Sequence, residues 1–146
     1  MKTLAAVLYK LNSPLAVEEV EIPSLKRGQV LVKILYSGLC RAQYNEIIGL
    51  KGQDLYLPHM LGHEASGTIE EIGPGVTKVK EGDYVILSWI KGRGLDAFRT
   101  QYKKGNRLVN AGAVTTFSEY AVVSENRVTK ISKKISPDVA SINGCA

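Results

Sequence analysis

Three side chains with metal-ligand chemistry stand out in this 146-residue sequence, Cys40, His63 and Cys145. Two thiolates and an imidazole are a donor set that suits zinc, with a fourth position left for water or a substrate oxygen. The three lie far apart along the chain, so residue type alone does not join them into one site. A buried, unreactive thiol is the commonest state of a free cysteine, and both readings stay open at this level. Two cysteines cannot build a disulfide framework, which makes a reducing, cytoplasmic setting the expectation.

The elements that must position these residues are mostly strands. Thr3 to Tyr9 is a compact apolar run, and Leu15 to Ile22 partly alternates before Pro23 ends it. Gln29 to Ser37 is the clearest strand, with Val30, Val32 and Ile34 facing one way and Leu31 and Leu35 the other. Cys40 to Gly49 lacks that alternation and reads as a short helix ended by its glycine. An apolar-rich run, Leu61 to Ile72, precedes the turn Gly73-Pro74-Gly75. Tyr84 to Trp89, Phe117 to Val123 and Arg127 to Ile131 read as further strands. Ser136 and Pro137 then suit the N-cap and first position of a helix. Many short strands with Gly-rich turns predict a mainly β fold, a sandwich or small barrel that is chiefly antiparallel.

Composition narrows the function classes. The chain is 45% hydrophobic and 23% charged, as an ordinary globular domain is. No apolar run approaches the roughly 18 residues of a membrane span, and Lys10 interrupts the only stretch resembling a signal peptide. The net charge of +5 sits in one place. Between Trp89 and Asn110, Lys91, Arg93, Arg99, Lys103, Lys104 and Arg107 face Asp96 alone, and the rest of the chain is neutral. That pattern reads as one long solvated excursion rather than a basic face. Only Phe98 and Tyr102 are aromatic within it, so nucleic acid is not an expected partner.

The segment GHEASGTIEEIGPGVTKVKEGDYVI, residues 62 to 86, resembles the signature of the zinc-containing medium-chain alcohol dehydrogenase family. Gly67, Gly73 and Gly82-Asp83-Tyr84-Val85 match its later glycines and its turn into a strand. Ser37-Gly38-Leu39-Cys40-Arg41 resembles the first-ligand segment, residues 115 to 131 the closing strands, and residues 136 to 146 the helix of the third ligand. The motifs run in order over almost the whole chain.

The resemblance implies a GroES-like, partly open β-barrel with short helices over residues 1–146, acting as a zinc- and substrate-binding catalytic domain. It implies that Cys40, His63 and Cys145 hold one catalytic zinc, with Glu64 an exchangeable carboxylate beside it. Arg41 would lie near a cofactor pyrophosphate; the alternative is an ordinary surface arginine. Trp89 would line the substrate pocket beside Ala42; the alternative is a strand-end core aromatic. The implied reaction is hydride transfer between an alcohol or carbonyl and NAD(P), in an enzyme expected to be a homo-oligomer.

Three departures qualify the resemblance. Ala42 stands where many members carry a Ser or Thr that starts a proton relay. Gln43 stands where an Asp is frequent, and an amide brings no charge to the ligands' surroundings. The region that often holds four cysteines for a structural zinc has none, so no structural zinc is expected. No strand, Gly-rich loop and helix for a nicotinamide is legible. Gly92-Arg93-Gly94 is only a formal match without a following helix. The chain is accordingly expected to lack the nicotinamide domain and to be inactive alone. Two alternatives remain: a zinc-free quinone or enone reductase, and a non-enzymatic GroES-like binding module using the basic stretch as its contact surface.

Overall fold

The computed structural model describes residues 1–145. In chain order its strands are β1 (Lys2–Leu8), β2 (Ala16–Glu21), β3 (Gln29–Ser37), β4 (His59–Met60) and β5 (Glu64–Ile72). They continue as β6 (Tyr84–Ser88), β7 (Gln101–Lys104), β8 (Arg107–Asn110), β9 (Tyr120–Ser124) and β10 (Val128–Lys130). Two short helices, α1 (Arg41–Ile47) and α2 (Pro137–Ser141), follow β3 and β10.

Strand β3 shows how the sequence pattern builds the fold. Val30 and Val32 have no exposure and join one core with Val85, Leu87 and Val123. Leu31 points the opposite way, into a second core with Val7, Met60, Tyr102 and Val109. The strand is thus buried on both faces over its first half, which explains its nearly unbroken apolar run. The alternation expected at its far end does not bury Leu35, which is 44% exposed. Pairing with β5 slips in register between Ile34 and Tyr36, and a β-bulge of this kind re-aims side chains.

Five strands, β1, β2, β7, β8 and β4, close on themselves, while β10, β6, β5, β3 and β9 form a second sheet in that order. The short β4 makes the closure. It pairs antiparallel with β1 through Val7–Met60 and Leu8–His59, and parallel with β8 through His59–Asn110. The mainly β expectation holds, and the barrel sheet is closed rather than partly open.

The basic stretch departs from its expected form. Residues 101–110 are not excursion but a β7–β8 hairpin that supplies two staves of the barrel. Tyr102 and Val109 are fully buried inside it. Each strand carries one inward apolar residue, Tyr102 among polar and charged neighbours and Val109 beside the outward Leu108, too short an alternation to stand out in sequence. The preceding residues 91–98 are looped, and no helix follows Gly94.

Buried Glu125 anchors that loop. Its carboxylate accepts the backbone N–H groups of Thr77, Lys78 and Leu95 at 2.6, 2.7 and 2.7 Å.

Candidate metal centre

Three chain segments converge at one end of the second sheet. Cys40 leaves β3 and forms the extended N-cap of α1. His63 lies between β4 and β5, directly after Gly62, whose φ of +93° turns the chain. Added at Gly62, a Cβ would stand 2.4 Å from Thr116 Oγ1 and 2.7 Å from its backbone N, so glycine is required twice over. Cys145 follows α2, which is docked on β5 by a 2.6 Å hydrogen bond from Ser66 Oγ to the Pro137 carbonyl.

The three ligand atoms lie within 4.8 Å of one another. Cys40 Sγ is 3.4 Å from Cys145 Sγ, and His63 Nε2 is 3.2 Å from the same sulfur. Cys40 and His63 are half-buried and Cys145 is exposed, which leaves an open side. Two soft thiols and an imidazole nitrogen converging from three directions fit a tetrahedral zinc with one free position. The Cys145 thiol is pushed above its ordinary pKa, first by its hydrogen bond with Cys40, then by burial and the negative charge of Cys40 and Glu64.

Glu64 is buried beneath this group, and its Oε2 accepts the Gly144 N–H at 3.0 Å. Gly38 and Gly144 make room for it: a Cβ at either would approach within 3 Å of its side chain. The carboxylate is turned onto the chain segment that carries Cys145, and positions that cysteine.

Gln43, also buried, supports the histidine. Its Oε1 accepts the Gly62 N–H at 2.5 Å and its Nε2 reaches His63 Nδ1 at 2.8 Å.

A cavity of about 840 Å³ opens beside the site, with His63, Trp89, Phe98, Tyr56, His59 and Glu46 in its wall. Trp89 is 53% exposed and donates its indole N–H to the Gly144 carbonyl at 3.2 Å. It is therefore a cavity-wall residue rather than a core aromatic. Ala42 is half-buried and does not line this cavity; α1 contributes Glu46, one turn further on. Arg41 is exposed, bonded to Asn45 Oδ1 at 3.3 Å, with its guanidinium 5.2 Å from the centroid of the Tyr44 ring.

Sequence reasoning passed over a second group. His59 is buried, donates Nδ1–H to the Met60 carbonyl, and holds Nε2 2.6 Å from Asp54 Oδ2 and 3.8 Å from Glu46 Oε1. It ties α1 and the segment before β4 to the barrel. Its only sequence signal is a titratable residue in the otherwise apolar run Leu57 to Leu61.

Comparison with known proteins follows the same lines. The family model for the alcohol dehydrogenase GroES-like domain matches residues 26–133. The chain is 32% identical to an S-(hydroxymethyl)glutathione dehydrogenase of Photobacterium damsela subsp. piscicida, covering 99% of this chain and 46% of that protein. It superposes on benzyl alcohol dehydrogenase from Acinetobacter calcoaceticus with a TM-score of 0.82 at 27% identity, covering 99% of this chain and 45% of that one. A quinone oxidoreductase from Coxiella burnetii shares the fold, with a TM-score of 0.74 at 20% identity over 99% of this chain and 42% of that one. The chain spans about half the length of the curated relatives it matches.

Proposed function

Since the chain belongs to the alcohol dehydrogenase GroES-like domain family, we propose that it is the zinc- and substrate-binding half of an NAD(P)-dependent alcohol dehydrogenase. The observation that carries this reading is the convergence of Cys40, His63 and Cys145 within 4.8 Å beside an open cavity.

A zinc ion at this position supplies Lewis-acid polarisation of a substrate oxygen. Cys40, His63 and Cys145 would hold it, and the cavity that His63 lines would take the substrate. Glu64 keeps Cys145 in place through the Gly144 N–H. Trp89 and Phe98 offer aromatic wall to the carbon skeleton of an alcohol or aldehyde. The absence of a hydroxyl at Ala42 means that a proton leaving the substrate departs through water or another side chain. Arg41, exposed at the start of α1, would meet a phosphate of the bound cofactor. The two free thiols would work as ligands only when reduced, which suits a cytoplasmic enzyme; the whole protein would be a homo-oligomer acting on small molecules.

The zinc-free quinone or enone reductase reading shares the fold, but it leaves the ligand trio without a role. The test is nicotinamide turnover by the product of the whole reading frame, as NAD(P)+ reduction with primary alcohols and as NAD(P)H oxidation with quinones, before and after Cys40→Ser. Alcohol oxidation that Cys40→Ser abolishes is expected. A quinone-dependent rate that survives Cys40→Ser would transfer the assignment to the reductases.

A further inference from the structure

The direction of one hydrogen bond sets His63 apart from a histidine supported by a carboxylate. The Gly62 N–H points at Gln43 Oε1 from 2.5 Å. A peptide N–H can only donate, so the amide oxygen is committed to Gly62. The other end of the amide, Nε2, then faces His63 Nδ1 at 2.8 Å. An amide NH2 also only donates, which makes Nδ1 the accepting nitrogen. In the metal-free protein the ring proton therefore sits on Nε2, directed at Cys145 Sγ 3.2 Å away.

That nitrogen is the one aimed at the cysteines. To offer its lone pair to a cation, the ring must carry its proton on Nδ1 instead, and Nδ1–H needs an acceptor. Turning the Gln43 amide over would supply Oε1, but it would set the NH2 against the Gly62 N–H. Gly62 is buried at a φ of +93° and cannot reorient. The observed amide orientation faces donor to donor only when Nδ1 carries the proton, and the turned one does so at Gly62 whichever nitrogen carries it.

We propose that Gln43 is a positioning residue that holds His63 in the Nε2–H tautomer and so opposes metal loading at Nε2. This rests on the reading of Cys40, His63 and Cys145 as zinc ligands. Loading would require the ring proton on Nδ1 in place of Nε2, at the cost of a donor–donor contact either at Nδ1 or, with the amide turned over, at the Gly62 N–H. A glutamate at position 43 would present an oxygen to Gly62 N–H and another to Nδ1–H, satisfying both donors at once.

The chain has two histidines, so 15N NMR of the histidine-labelled, metal-free protein reports the His63 tautomer directly once His59 is assigned. The Nε2–H form is expected in the wild type and the Nδ1–H form in Gln43→Glu. Zinc affinity, measured by competition with a chromophoric chelator, is expected to rise about 10–100-fold in Gln43→Glu. Gln43→Ala, which adds no charge, is expected to release the tautomer and to raise zinc affinity by a smaller factor than Gln43→Glu; no rise at all in a folded Gln43→Ala would contradict the opposition to loading. A wild-type His63 protonated on Nδ1, or unchanged zinc affinity in a folded Gln43→Glu, would overturn the proposal. Zinc uptake by neither protein would overturn the zinc reading and the loading half of this proposal, while the tautomer result stands on its own.

Discussion

The sulfurs of Cys40 and Cys145 lie 3.4 Å apart although 105 positions separate them in the chain. Neither residue owes its place to a long rigid element. Cys40 caps a seven-residue helix, and Cys145 follows a five-residue one. What brings them together is the second sheet, because β3 delivers Cys40 and β5 carries the seat of α2.

Ser66→Ala isolates that seat. The hydroxyl has no exposure and makes a 2.6 Å bond to Pro137. Its loss is expected to cost about 1 kcal/mol of stability. Because α2 carries Cys145, zinc affinity should fall by a larger factor than global stability alone requires. Chelator competition and urea unfolding on the same protein measure the two effects.

Gly62→Ala is expected to be severe. Alanine at a φ of +93°, with its Cβ 2.4 Å from Thr116 Oγ1, combines backbone strain with a clash against the chain itself. A loss of about 3 kcal/mol follows from such strain, and the His63 segment should lose its register with it. Urea denaturation checks the first part and metal binding the second.

Acid should destabilise the fold through two buried carboxylates. The Lys130 ammonium, 2.7 Å away, holds Asp83 below its ordinary value, against burial and with help from the Lys80 N–H. Burial pushes Glu125 up, but three backbone N–H groups and the Lys78 charge outweigh it and leave it lowered. A carboxylate whose folded value is depressed contributes stability above its unfolded value and loses it as pH falls through the folded one. The thermal midpoint should therefore hold near neutrality and fall below the ordinary values of 4.5 and 3.8. Glu125→Gln should cost about 2 kcal/mol at neutral pH and make the acid limb shallower.

At alkaline pH, Tyr102 is the group to watch. Burial pushes its hydroxyl from 10.0 up to about 12, against the pull of the Val122 N–H. The folded state keeps the proton while the unfolded chain releases it. Stability from this group is complete below pH 10 and declines as pH rises from 10 towards 12. Tyr102→Phe should remove that part of the alkaline decline, at a cost near 1 kcal/mol for the orphaned Val122 N–H. Phenolate absorbance during alkaline titration follows it.

The legible parts of the molecule were those with repeated local signals. Strand β3 announced itself by alternation, α1 by its loss and by Gly49, and the ligand segments by several motifs in a fixed order. The β7–β8 hairpin stayed hidden because Tyr102 stands alone among polar and charged residues and Val109 sits beside the outward-facing Leu108, so four-residue strands show no clear alternation. His59 stayed hidden because its partners, Asp54 and Glu46, meet it only once β4 closes the barrel. The polarity of the Gln43 bond depends on where Gly62 points its N–H, a tertiary fact with no local signal.

The central claim is that Cys40, His63 and Cys145 form one zinc site. X-ray absorption at the zinc edge on the zinc-loaded protein tests it most directly. Two sulfur scatterers near ~2.3 Å and nitrogen or oxygen near ~2.0 Å are expected, with one sulfur lost in Cys145→Ser. A first shell of oxygen and nitrogen alone, or a spectrum unchanged by Cys145→Ser, would contradict it.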